Sequence, residues 1–325
     1  MTAVVDDFDA LVCDVDGVVV TGTVPVVHAV DTLNSLSLPV VYATNNASRT
    51  PAEVVTMLRG HGVEVSEERV LTSSRAAALE LAAVLPAGSP VLAVGGPGVA
   101  LSLEAVGLRA CTPQERADVV AVVQGYGTDV SVADLTEVAF AVQSGARWVA
   151  TNDDPSLPTE RGPAPGNGAL VGVVRQAVDV DPWVIGKPHP AMYTLAGSIV
   201  GTSARRTLAV GDRLGTDIAG ARAAGMSAAL VLTGVHGPAD AAAAVPEARP
   251  THVLGDLRDL LGPYPEAAVA DGWFRRGDAR ARWSNGLVVE GHGMNATRAS
   301  LDALWSALDA GEITVEHARG AMVTG

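Results

Sequence analysis

The sequence of 325 residues predicts an α/β fold built on a parallel sheet, because short apolar runs alternate with helical patterns along most of it. Several runs are apolar throughout rather than alternating with polar residues, which is typical of strands buried on both faces. The candidate strands are 10–13, 39–43, 91–94, 119–123, 148–150, 183–185, 208–210, 228–232 and 252–254. The candidate helices are 51–60, 75–85, 191–200 and 216–224.

The composition excludes several classes of protein. Hydrophobic residues make up 48% of the chain, and the net charge is −14 with no basic run to offset it. Because binding of nucleic acid or of an anionic membrane needs clustered basic residues, we expect neither partner. Cys13 and Cys111 are too few for a disulfide framework, and the first residues are acidic where a secretory signal would be basic. These features predict a cytoplasmic protein.

One uncharged segment is long enough to span a bilayer. Residues 81–103 carry no charge over 23 positions, but prolines and glycines interrupt them repeatedly. We therefore predict a helix end, a turn, a short buried strand at 91–94 and a glycine-rich turn, with no insertion into a membrane.

The basic residues are distributed very unevenly between the two types. Of the 22 basic residues, 21 are arginine and only Lys187 is lysine. Unless one lysine has survived by chance, this position needs a compact ammonium group that a guanidinium cannot replace.

Two carboxylates follow the first candidate strand. Asp14 and Asp16 are two positions apart, so both side chains are expected on one side of the strand's carboxyl end, and Gly17 lets the backbone approach a ligand. A hard cation or a shared proton would relieve their repulsion. The alternative is an ordinary polar strand end.

Two further polar segments follow later strands. Thr44, Asn45 and Asn46 come after the strand at 39–43 and suit phosphoryl oxygens, although a turn and helix cap would use the same residues. Lys187 lies in a loop bracketed by prolines, which would hold its charge in place. We interpret the neighbouring His189 as structural rather than catalytic.

The fourth segment places Asp212 after the strand at 208–210 and Asp217 at the start of a helix, where the helix dipole alone could favour an acid. We expect a metal-binding role for Asp212. Carboxyl ends of parallel strands converge on one crevice, so the four segments together predict a cation site, an anion cradle and a nucleophile.

The four segments resemble the motifs of the haloacid dehalogenase superfamily, in its phosphatase branch with a type IIA cap. They read Asp-Val-Asp-Gly-Val, Ala-Thr-Asn-Asn, Gly-Lys-Pro-His-Pro and Gly-Asp-Arg-Leu-Gly-Thr-Asp, in the family's order. The resemblance implies a Rossmann-like parallel-sheet core in two parts, 1–78 and 182–262. An α/β cap would be inserted at 79–181, and an α+β appendage would follow at 263–325.

The resemblance also implies a role for each acid. Asp14 would attack phosphorus and become an aspartyl phosphate, while Asp16 would protonate the leaving alcohol and then activate water. Mg²⁺ would bind the Asp14 carboxylate, the Asp16 main-chain carbonyl and Asp212. Asp217 would orient these ligands without binding the metal.

Other residues would bind the substrate. Lys187 would hold the phosphoryl group and offset the charge of Asp14. The expected phosphate-binding residues besides Lys187 are Gly17, Thr44, Asn45 and Asn46. In the cap, Asn152, Asp153 and Arg161 are candidates for contacting the leaving group, although a loop of this composition is also common as ordinary surface.

The appendage differs in composition from the rest of the chain. It contains three of the five tryptophans, and its apolar residues at 301, 304, 305 and 308 predict an amphipathic helix ending near Gly311. The whole arrangement resembles bacterial glycerol 3-phosphate phosphatases that carry a truncated acetyltransferase-like region. A strand at 287–290, a glycine turn and this helix could bind a pyrophosphate such as that of coenzyme A. Because about 60 residues cannot complete that fold, we favour docking onto the core or a second subunit.

Two classes of function follow. The first is a Mg²⁺-dependent phosphatase that hydrolyses a small phosphomonoester, with glycerol 3-phosphate favoured over a sugar phosphate, phosphoglycolate, pyridoxal phosphate or a nucleotide. The second is a regulatory protein that senses a ligand through its appendage. The intact motifs argue against the second class, and a homo-oligomer is compatible with both.

Overall fold

The computed structural model describes residues 3–115, 118–159 and 161–323. The strands are β1 (Ala10–Asp14), β2 (Val20–Thr21), β3 (Val24–Pro25), β4 (Val40–Thr44), β5 (Val70–Thr72), β6 (Pro90–Val94), β7 (Arg109–Cys111), β8 (Ala121–Gln124), β9 (Arg147–Ala150), β10 (Ser156–Thr159), β11 (Gly162–Pro165), β12 (Trp183–Val184), β13 (Thr207–Gly211), β14 (Ser227–Val231), β15 (His252–Leu254), β16 (Ala267–Ala270), β17 (Trp273–Arg276), β18 (Ala279–Trp283) and β19 (Leu287–Glu290). The helices are α1 (Ala29–Ser35), α2 (Pro51–Gly60), α3 (Ser73–Ala82), α4 (Pro97–Ala105), α5 (Val132–Gln143), α6 (Asn167–Arg175), α7 (Pro190–Val200), α8 (Ala219–Ala223), α9 (Pro238–Ala242), α10 (Gly293–Asp309) and α11 (Val315–Val323).

The chain packs as two compact units. The first contains Met1–Val40 and Val200–Gly325, and the second contains Val41–Ile199. These bounds come from packing alone, and the four-part domain division expected from the sequence stays a prediction.

The first unit contains parallel strands in the order β15-β14-β13-β1. Every residue of β1 and β13 is buried, as predicted from their uninterrupted apolar runs. In the register of this pair, Cys13 lies opposite Val210, so the two strands end at the same edge. Asp14 and Asp212, which end or follow these strands, are therefore delivered to one place.

The appendage belongs to the first unit and forms a separate layer. Its four strands make an antiparallel sheet in the order β16-β17-β18-β19, and α10 covers one face through Ala281, Ala299 and Ala303. The sequence predicts both β19 and the amphipathic helix, and the structure confirms them. The Trp305 indole donates to the Ala241 carbonyl of α9 at 2.9 Å, which confirms docking onto the α/β core.

The second unit contains a parallel pair, β4 and β5, and a parallel five-stranded sheet in the order β12-β9-β8-β6-β7. Its apolar core lies between this sheet and helices α5 and α6, where Val138, Trp148 and Val171 are buried. Within the described residues, none of the helices combines the length and apolar composition needed to cross a membrane.

Three local expectations need correction. The glycine-rich turn after β6 continues into α4, because Pro97 occupies the first turn, where a missing N–H costs nothing. The helix expected at 216–224 begins earlier as a π-helical turn, Leu214–Ile218, which continues into α8. The sequence interpretation assigned no strands to the β10–β11 hairpin, whose proline content hides it.

Candidate active site

Three carboxylates of the first unit form a buried cluster. Ligand oxygens of Asp14, Asp212 and Asp217 all lie within 4.8 Å of one another. The three side chains are only 8%, 1% and 2% exposed, respectively. Three like charges at this distance and depth repel one another strongly, and a hard divalent cation is the partner that would stabilise them all as carboxylates. The donor set therefore fits Mg²⁺.

Main-chain groups hold Asp212 tightly. The N–H of Val235 donates to Asp212 Oδ2 at 2.8 Å, and the N–H of His236 donates to the Asp212 carbonyl at 3.2 Å. Gly17 and Gly234 both lie so close that a Cβ added to either would be 2.1 Å from Asp212 Oδ2. Gly17 also has a φ of +89°, which glycine adopts without strain. Gly17 thus packs directly against the Asp212 carboxylate, and a phosphate-binding role for it stays a prediction.

Asp217 reaches the cluster through the π-helical turn. Its Oδ2 accepts from the Arg213 N–H at 3.1 Å, which fixes the carboxylate's direction. The sequence interpretation gave Asp217 an orienting role, and its carboxylate lies as near the other two as a direct ligand would. The orienting role expected for Asp217 stays a prediction.

Asp16 lies outside the buried cluster. Asp16 follows the end of β1 by two residues, and its side chain is exposed. The next residue begins a tight turn, in which the Gly17 N–H donates to the Val20 carbonyl at 2.7 Å. An exposed carboxylate is accessible to a leaving group and to water, as an acid and base must be.

In the second unit, Lys187 is held in a rigid setting. The side chain is only 3% exposed, and its Nζ donates to the Ala43 carbonyl of β4 at 3.3 Å. Asn45 fixes the backbone of Lys187 from both sides, since Asn45 Oδ1 accepts from the Lys187 N–H and Asn45 Nδ2 donates to the Lys187 carbonyl, each at 2.9 Å. The same Nδ2 also donates to Asp154 at 3.0 Å.

This bonding changes the expectation for Asn45. Its side chain is occupied in holding the lysine loop, so any contact with a phosphoryl oxygen would come from its main chain. Thr44 is buried at the end of β4, and its Oγ1 accepts from the Asn46 N–H at 3.1 Å. The exposed Asn46 accepts from Ser48, so it forms the turn that the sequence interpretation kept as an alternative.

The three cap candidates have different environments. Asn152 is buried and donates to the Asn45 carbonyl at 2.8 Å, which ties its loop to β4's end. Asp153 Oδ2 lies 3.0 Å from His189 Nε2, and the structural role expected for this histidine stays a prediction. Arg161 is exposed in the β10–β11 turn, and its N–H donates to Thr159 Oγ1 at 3.3 Å.

The loop after β14 is a part of the site that the sequence interpretation missed. In this loop, residues 233–236, the main-chain N–H groups of Val235 and His236 donate to Asp212. Thr233 Oγ1 donates to the Gly17 carbonyl at 3.2 Å. The sequence does contain a signal for it: Thr233 and Gly234 directly follow the candidate strand at 228–232, just as the other predicted site residues follow their strands.

Comparison with known proteins agrees with this geometry. The profile described as haloacid dehalogenase-like hydrolase matches residues 11–109, and the HAD-hydrolase-like profile matches residues 184–260. A D-glycerol 3-phosphate phosphatase of Mycobacterium tuberculosis is 42% identical over 316 residues, covering 94% of this chain and 88% of that protein.

Solved structures give the same result. A crystal structure of a glycerol phosphate phosphatase from Mycobacterium tuberculosis in complex with magnesium has a TM-score of 0.84 at 40% identity, covering 94% of this chain and 93% of that chain. A p-nitrophenyl phosphatase from Archaeoglobus fulgidus has a TM-score of 0.73 at 28% identity, covering 78% of this chain and 98% of that chain. The chain belongs to the haloacid dehalogenase-like hydrolases.

Proposed function

We propose that this protein is a Mg²⁺-dependent phosphatase that hydrolyses glycerol 3-phosphate to glycerol and phosphate. The buried cluster of Asp14, Asp212 and Asp217 carries the proposal, because a carboxylate that attacks a negatively charged phosphoryl group needs a hard cation beside it.

The choice of substrate depends on the relatives. The Mycobacterium glycerol 3-phosphate phosphatase aligns over 94% of the chain, so the match must extend into residues 263–325. The p-nitrophenyl phosphatase covers only 78% of the chain. Glycerol 3-phosphate is therefore a better expectation than the other small phosphomonoesters.

Each side chain has a defined role in the proposed reaction. A carboxylate oxygen of Asp14 attacks phosphorus, the bond from phosphorus to the alcohol oxygen breaks, and an aspartyl phosphate forms. Asp16 gives its proton to the departing alcohol oxygen. It then accepts a proton from water as that water attacks phosphorus, which releases phosphate and regenerates the Asp14 carboxylate.

The remaining groups bind and neutralise. Asp14 and Asp212 would hold the Mg²⁺, with the Asp16 carbonyl as a further ligand and Asp217 beside them. The bound ion would supply positive charge to the phosphoryl oxygens and to Asp14. Lys187 adds a second fixed cation for those oxygens, with Thr44 and the main chain of Asn45 as further donors.

Two steps of assay test this function. Purified protein is first assayed for hydrolysis of p-nitrophenyl phosphate with Mg²⁺ and with a chelator. Glycerol 3-phosphate is then compared with a sugar phosphate, phosphoglycolate, pyridoxal phosphate and a nucleotide by phosphate release. We expect activity only with Mg²⁺ and the highest kcat/KM for glycerol 3-phosphate. Hydrolysis that persists in the chelator, or no hydrolysis at all, would refute the proposed Mg²⁺-dependent site. A higher kcat/KM for another ester would refute only the choice of substrate.

Two further predictions accompany the enzyme assignment. We propose a cytoplasmic location, based on the two cysteines, which are too few for a disulfide framework; fractionation of cells would test it. A homo-oligomer is compatible with the enzyme assignment, and sedimentation of the purified protein would test it.

A further inference from the structure

Residues 233–237 and α9 connect Asp212, the proposed metal ligand, to the appendage through a series of hydrogen bonds. Asp212 receives the Val235 N–H on its carboxylate and the His236 N–H on its carbonyl. The His236 ring is bonded as well, since its Nδ1 accepts from the Leu214 N–H at 2.9 Å. Residues 235 and 236 therefore fix both Asp212 and the start of the turn that carries Asp217.

This loop runs directly into α9, which is too short to hold its own position. A helix of five residues has too few hydrogen bonds to be stable without tertiary contacts. Its first turn is closed by Asp240, whose Oδ2 accepts from the Gly237 N–H at 3.1 Å. Because Gly237 follows His236, the position of α9 determines the position of the loop that holds Asp212.

The appendage holds α9 from two helices. Trp305 of α10 donates its indole N–H to the Ala241 carbonyl at 2.9 Å, and Ala241 is fully buried. Arg319 of α11 lies 3.4 Å from Asp240, the residue that closes the first turn. The ion pair of Arg249 and Asp309, at 2.6 Å, fastens α10 to the same side of the core.

We propose that the appendage of residues 263–325 is a positioning element for the metal site, acting through α9 and residues 233–237 on Asp212. None of its described residues belongs to the carboxylate cluster. It keeps the two N–H donors of the loop in place, so that the Asp212 carboxylate is oriented before the cation binds. This inference rests on the proposed Mg²⁺ site.

The test measures Mg²⁺ binding directly, by calorimetry on the full chain, and measures kcat separately at saturating Mg²⁺. Trp305→Phe removes only the indole donor, and Trp305→Ala removes the side chain that packs on α9. Trp283→Phe is the matched control, because Trp283 lies in β18 of the same appendage. Outer-shell changes typically weaken metal binding by about 10- to 100-fold. For this more remote contact we expect about threefold for Trp305→Phe and about tenfold for Trp305→Ala, with kcat at saturation retained.

A second pair of variants tests the middle of this series of hydrogen bonds. His236→Asn keeps an acceptor near the Leu214 N–H and should retain Mg²⁺ affinity, whereas His236→Leu should weaken it. Folded Trp305 variants that bind Mg²⁺ like wild type would overturn the inference, and so would an equal loss in Trp283→Phe. If Trp305→Ala does not fold, Trp305→Phe decides. Absence of Mg²⁺ binding in the wild type would refute the proposed function itself.

Discussion

Replacement of Gly234 by alanine tests the claim that Asp212 must lie where the structure places it. The added Cβ would be 2.1 Å from Asp212 Oδ2 and 2.6 Å from its Cγ, where an ordinary contact needs at least 3.4 Å. The carboxylate or the loop must therefore move by more than about 1 Å, which overpacking makes costly by roughly 1–3 kcal/mol. Mg²⁺ demands ligands at about 2.0–2.1 Å in near-octahedral geometry, so a displacement of this size removes a ligand.

We expect Gly234→Ala to lower kcat/KM by about 100-fold or more at fixed Mg²⁺, and to weaken Mg²⁺ binding by at least about tenfold. The control is Gly237→Ala in the same loop, because a Cβ there would meet nothing within 4 Å. Both proteins are assayed by p-nitrophenyl phosphate hydrolysis over a Mg²⁺ titration, with circular dichroism to verify folding. Equal activity and equal Mg²⁺ affinity in the two variants would refute the reasoning.

Three further changes have definite expected outcomes. Asp14→Asn should lower phosphatase kcat by about 10³-fold or more with an unchanged circular dichroism spectrum, because an amide is a poor nucleophile; a tenth of wild-type rate would contradict this. Lys187→Arg should cost about 10²-fold in kcat/KM, since the forked guanidinium cannot fit where a buried ammonium meets the Ala43 carbonyl; near-normal rates would mean the lysine is incidental. Burial, with the charges of Arg276 and Arg298, lowers the pKa of His252 to about 4 from 6.5. Because neutral His252 is favoured in the folded protein, its contribution to the free energy of unfolding is present above pH 6.5. That contribution decreases by up to roughly 3 kcal/mol as the pH falls toward 4. Urea unfolding of wild type and His252→Asn at pH 7 and pH 4.5 should therefore show a smaller pH dependence of the free energy of unfolding in the variant.

The elements that the sequence predicts well have strong local determinants. The predicted range of α2 agrees with the structure because Thr50 and Glu53 form a reciprocal capping box and Pro51 starts the first turn. The strand β1 is predicted because burial on both faces leaves no polar residue within the run.

Elements whose conformation depends on tertiary contacts are predicted poorly. The segment at Gly96 and Gly98 has the composition of a turn, yet both glycines pack against residues 47–49 and lead into α4. Glycine occurs both in turns and where two backbone segments pack closely, so the pattern of residues along the sequence does not distinguish these two uses.

The same distinction applies to the candidate site. The approach of Asp14 and Asp212 to each other could be predicted because both follow buried strands, and the carboxyl ends of parallel strands meet at one edge of the sheet. The loop at Val235 and His236 could not, because it acts through main-chain N–H groups that every non-proline residue has. The occupied side chain of Asn45 belongs with this group, since only the fold shows that both of its ends bond Lys187.

The uneven use of lysine and arginine follows from these environments. In several of the ion pairs the planar fork of arginine makes two parallel bonds, as between Arg249 and Asp309 at 2.6 and 2.7 Å and between Arg276 and Asp302 at 2.6 and 3.0 Å. Lys187 instead is buried, its Nζ donates to the Ala43 carbonyl, and Asn45 holds its backbone from both sides. A guanidinium is wider than an ammonium and carries its five N–H donors in a fixed planar fork, so it cannot replace this compact group without displacing the groups around it. The position that the composition marks as unusual is thus one where a compact ammonium fits and the planar fork of arginine would have to displace its neighbours.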